Sequence, residues 1–150
     1  MSNSLNEPAL FRRRAKTAAI VIGTALALSA SARADVTVIV NAANNATLDD
    51  ETISSLFLGQ ARSFPGGGEV TPINQKDSSG AAQEFTTQYL KKTAPQLRAY
   101  WAKQVFTGTG RPPKELEGDE AVMKFVAATP GAIGYVDSAK LGPGVKPAKK

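Results

Sequence analysis

Residues 74–85 (NQKDSSGAAQEF) gather the groups in this chain best suited to hold an anion. Ser78 and Ser79 carry hydroxyls that can donate, and Gly80 lets backbone approach a ligand closely. The apolar spacing that starts here predicts a helix, whose first N–H groups lack partners and favour negative charge. The candidate ligand residues are therefore Ser78, Ser79, Gly80 and Ala81, with Gln75, Asn44 and Arg111 as side chains that would complete the shell. Ser79 also has a plainer use as a helix N-cap, which needs no ligand.

Covalent chemistry is poorly served. The 150 residues include no histidine and no cysteine, which removes the commonest general base, the commonest metal ligand and any thiolate nucleophile. Lys76 is the base nearest Ser79 in sequence, but a spacing of three across a turn does not define a nucleophile and base pair. No enzymatic activity, metal site or organic cofactor is expected.

The elements that must position the turn follow from periodicity. Residues 70–74 read as a short strand running into it, and Ala82, Phe85 and Tyr89 mark one face of the helix leaving it. Residues 36–40 (VTVIV) predict a strand buried on both faces. Beyond it, Asn41, Asn44 and Asn45 either form a turn or reach into the cleft that open α/β sheets place past the carboxyl ends of their strands. Residues 47–50 (TLDD) open a helix with Ile53, Leu56 and Phe57 inward and Gly59 as its stop. Thr93 to Gln96 form a second capping box with Pro95 in the first turn, and Leu97, Trp101 and Val105 give that helix its apolar stripe. Residues 107–113 (TGTGRPP) are a loop whose Arg111 suits either an anion contact or a solvated or ion-paired surface role. A helix over 119–128 and a strand over 132–136, apolar enough for a sheet centre, complete the order. The alternation predicts an α/β fold, a three-layer sandwich with a mostly parallel sheet.

The first 34 residues stand apart. Arg12, Arg13, Arg14 and Lys16 precede an apolar run over 17–28 that is too short to span a bilayer, and Ala32-Arg33-Ala34 supplies a peptidase site. Residues 1–34 are thus expected to be a cleaved signal peptide, residues 35–140 one domain, and the Gly-, Pro- and Lys-rich residues 141–150 a disordered tail. The whole chain has 18 Lys and Arg against 13 Asp and Glu. Five cations and one anion belong to the leader, so the mature chain is nearly neutral and nucleic acid is not an expected partner. Export without disulfides points to a periplasm.

Residues 53–59 (ISSLFLG), the Asp77-Ser78-Ser79-Gly80 turn with Glu84 and Phe85 after it, and residues 129–136 (TPGAIGYV) together resemble the periplasmic phosphate-binding proteins of ABC importers. The similarity is to roughly one lobe of these two-lobed, type II binding proteins. In that family the turn reads Arg-x-Asp-Gly-Ser-Gly-Thr, and its arginine, serine, glycine and threonine bind phosphate. Here Asp77, Ser79 and Gly80 match, while Gln75 stands in place of the arginine and Ala81 in place of the threonine. The resemblance implies a periplasmic solute-binding protein for phosphate or a related small oxyanion, working with importer membrane components or a sensor. The two departures leave a second reading open, a non-catalytic interaction module with a degenerate site. A lone lobe would expose the face its fellow lobe covers, so a dimer is a further expectation.

Overall fold

The computed structural model describes residues 35–149, and the signal-peptide expectation for residues 1–34 lies outside them. The β-branched run forms β1 (Val36–Asn41), buried along nearly its whole length as a strand covered on both faces should be. Next comes α1 (Asp50–Phe57), capped by Asp49, whose carboxylate accepts the Thr52 N–H at 2.8 Å. It ends at Gly59, where φ is +71° and a side chain would be strained. Then follow β2 (Thr71–Gln75), α2 (Gly80–Gln88) and α3 (Ala94–Phe106), the last opened by the Thr93 capping box with proline in its first turn. The chain closes with β3 (Lys114–Leu116), α4 (Gly118–Ala128), β4 (Ala132–Asp137) and β5 (Val145–Pro147).

The strands make one sheet in the order β3-β2-β4-β1-β5, with β4 at its centre. β2 runs parallel to β3 and β4, whereas β1 runs antiparallel to β4 and β5. Four strands therefore point the same way and β1 runs against them. On one face, Val36, Val38, Val40, Ile133 and Tyr135 pack against Ile53, Leu56, Phe57 and Phe85 of α1 and α2. There the Phe85 ring stacks on Tyr135, their centroids 4.0 Å apart. On the other face, Ile39, Ile73 and Val136 meet Val122 and Val126 of α4. A Cβ on Gly134 would lie 2.6 Å from Val122 Cγ1, so glycine is what lets α4 sit directly on β4. The result is the expected three-layer α/β arrangement.

Two expectations need correction. The stripe on α3 ends at Trp101, because Val105 is 55% exposed and Phe106 92% exposed. Of the tail expected over residues 141–150, residues 141–149 are described and are not disordered. Val145 pairs with Asn41, Val145 and Ala148 are buried, and the Ala148 N–H donates to Val38 O at 2.9 Å. The physical reason is the free edge of β1, whose unpaired backbone groups recruit a three-residue strand that composition hides.

Candidate functional site

The turn singled out in the sequence lies at the carboxyl edge of β2 and opens α2. Ser79 is the N-cap of α2, its Oγ accepting the Ala82 N–H at 3.0 Å. The first intrahelical bond comes from Gln83 to Ser79 O, so the N–H groups of Gly80 and Ala81 have no helical partner. Ser78 and Gly80 are exposed while Ala81 is buried, and the turn lies open on the surface. A hollow of about 290 Å³ adjoins it between α2 and α3, and one of about 200 Å³ lies between α3, the end of β2 and β3 with Trp101 in its wall; both are lined by Asp77 and neither by Ser79 or Gly80. Lys76 Nζ pairs with Glu117 at 3.0 Å, both side chains being exposed.

Gln75 is held elsewhere. It is 2% exposed, and its Nε2 donates to Asp119 Oδ1 at 2.7 Å and to Tyr135 O at 3.0 Å. Its backbone N–H donates to the Tyr135 hydroxyl at 3.0 Å. The residue standing where the family has an arginine thus ties β2 to β4 and α4, and its amide points inward instead of toward the turn. Burial of Asp119 pushes its carboxyl pKa up, but hydrogen bonds from Gln75, the Asp137 N–H and Lys140 outweigh that and hold it below its ordinary value. Burial raises the Tyr135 hydroxyl well above its usual range, so it stays neutral.

Asn44 and Arg111 lie at the opposite edge of the sheet. Because β1 is antiparallel to β4, the end of β1 falls level with Ala132 and Thr71, where β4 and β2 begin. With about 3.3 Å per residue along β2, this places the loop after β1 roughly 13 Å or more from the turn after Gln75. Asn44 Oδ1 accepts the Ala46 N–H at 2.8 Å, the turn-forming use of asparagine, and Asn44 faces a hollow shared with Gly66 to Gly68. Asn41 instead caps α4, its Nδ2 donating to Val126 O and Ala127 O at 3.0 and 2.9 Å. Arg111 precedes β3, whose first residue is level with Ile73, and lines a cavity with Arg62 and Gly59. Ser78, Ser79, Gly80 and Ala81 are therefore brought together, and Gln75, Asn44 and Arg111 are not. The cation that does reach the turn is Arg98 of α3, 3.8 Å from Asp77. Nothing local in the sequence marks it, since the pair joins the turn before α2 to α3.

No family model matches the sequence, and no curated protein matches it. Solved structures do. An ABC-type phosphate transport receptor from Vibrio cholerae superposes with a TM-score of 0.60 over 75% of this chain and 44% of its own, at 17% identity. A phosphate ABC transporter substrate-binding protein from Clostridium perfringens, solved with bound phosphate, gives 0.57 over 75% and 43%, at 15% identity. PstS from Borrelia burgdorferi gives 0.50 over 67% and 39%, at 16% identity. The chain has the fold of one lobe of these receptors. It spans less than half of their length, and at such identities the likeness is one of fold. Among the described residues no helix is long and apolar enough to cross a membrane.

Proposed function

We propose that this chain is a non-catalytic solute-binding module of a periplasm that takes phosphate or a related small oxyanion on the first turn of α2. The observation that carries the reading is the Ser79-Gly80 turn opening α2 at the carboxyl edge of β2, within a fold shared with phosphate receptors. Ser78 supplies a hydroxyl, and Gly80 and Ala81 supply N–H groups. The leader pattern in residues 1–34 supports export, and importer components or a sensor are the partners this role implies.

Affinity follows from what the turn lacks. A helix N-terminus alone contributes about 0.3–1 kcal/mol, up to about 2 in sheltered sites, and among the described residues the guanidinium near it, that of Arg98, is paired with Asp77. Binding is accordingly expected near the millimolar range, about −4 kcal/mol. Isothermal titration of the full chain with phosphate and sulfate checks this. Gly80→Asp is the informative variant, because a carboxylate in the first turn suits the helix dipole yet repels an oxyanion. It should keep the fold and lose the heat. No heat from the parent protein at tens of millimolar ligand would favour the competing reading, an interaction module with a degenerate site.

A further inference from the structure

At the amino edge of the sheet, the loop after α1 and the loop after α3 border an open cavity of about 510 Å³ lined by Arg62 and Arg111, both of them exposed. Neither guanidinium joins any of the ion pairs found among the described residues, which involve Lys76, Arg98, Lys140 and Lys149. A second cavity of about 300 Å³ shares Gly59 and both arginines with the first and is walled by Trp101, Pro112 and Pro113. Lys114 lines it too, and no acidic side chain lines either cavity. Two uncompensated guanidinia thus stand beside an aromatic and proline-lined slot.

The N–H of Gly108 donates to Val105 O, and those of Thr109 and Gly110 to Gln104 O, so the loop is folded back onto the end of α3 and its own donors are spent. The guanidinia, each with five N–H groups in a fixed fork, are then the donors available to a ligand. Their combined charge matches a group carrying close to two negative charges, which a phosphate monoester does near neutral pH.

We propose that this double cavity is a second binding site, separate from the α2 turn, for a small organic anion with a dianionic phosphoryl head and an apolar substituent. The head lies between Arg62 and Arg111, and the substituent enters the slot beside Trp101. Trp101 is the sole tryptophan of the chain, so its fluorescence reports on the slot; because it also borders the hollow beside Asp77, the backbone signals of residues 108–111 against those of 78–82 tell the two sites apart.

Phenyl phosphate and inorganic phosphate are the probes. Phenyl phosphate should change Trp101 emission saturably and shift the backbone NMR signals of residues 108–111, with an affinity about tenfold or more above that of inorganic phosphate, because only the ester fills the slot. Arg62→Ala combined with Arg111→Ala should weaken it by about tenfold or more, while Gly80→Asp should leave it unchanged. Equal binding by the double alanine variant, or shifts confined to residues 78–82, would overturn the second site. Loss of inorganic phosphate binding at the α2 turn alone would instead count only against the function proposed above.

Discussion

Gln75 and Asp119 lie 44 positions apart, yet their side chains meet at 2.7 Å inside the sheet and helix contact. Gln75→Met keeps much of the volume and removes the donors, so Tyr135 O loses one hydrogen bond and Asp119 Oδ1 keeps only that from the Asp137 N–H, which costs about 1–3 kcal/mol. Urea unfolding at neutral pH measures it. The acid dependence supplies a second readout. A carboxyl held below its ordinary value in the folded state stabilises the protein above its unfolded pKa, and this contribution is lost as pH falls through the depressed folded value. The deficit of Gln75→Met should be full at neutral pH and narrow in acid; a constant deficit would show that Gln75 does not hold the carboxyl down. Ser79 could be read as a cap because capping is local to three residues. Gln75 could not be read as structural, because its partners come from β4 and α4, and the same holds for Arg62 and Arg98, whose settings are tertiary.

Among the elements, those with enough residues to show a period were legible, and the rest were made by their neighbours. The strand over 36–40 and the helix over 119–128 carry their pattern within themselves, whereas β3 and β5 have three residues each and exist because β2 and β1 offer edges. Periodicity is also silent on direction. Nothing in VTVIV states that β1 runs against β4, and that reversal is what carries Asn44 to the far edge from Ser79. The β5 correction has a measurable consequence. Removing residues 142–150 exposes the edge of β1, uncovers Val145's packing site and deletes the bonds to Ala42 and Leu48. A loss of about 2–4 kcal/mol follows from one buried valine and a few net hydrogen bonds. Chemical denaturation reads it, and a truncated chain as stable as the parent would mean that β5 adds nothing to the sheet.

For the molecule as a whole, the two cores share one sheet, so β1 and β4 cannot open without exposing both. α3 is fastened far more lightly. Trp101 is its buried anchor, Leu97 and Tyr100 are half-buried, and the Tyr100 hydroxyl donates to Leu58 O at 2.7 Å. Its far end, Val105 and Phe106, is exposed among the described residues. Yet α3 reaches both candidate sites, through Arg98 at Asp77 and through the loop that carries Arg111. Segments with few buried contacts open at a fraction of the global free energy. Backbone amides of β1 and β4 should therefore exchange hydrogen only with global unfolding, and those of α3 faster, by a local opening. A ligand that binds the closed form alone opposes that opening by mass action. Saturating phenyl phosphate should slow exchange along α3, most strongly from Trp101 onward, and leave β1 and β4 close to their own limit. Protection in α3 equal to that of β4 before ligand is added would show that the helix is locked into the core, and the lobe would then present the Arg62 and Arg111 cavity as a rigid feature with no opening to suppress.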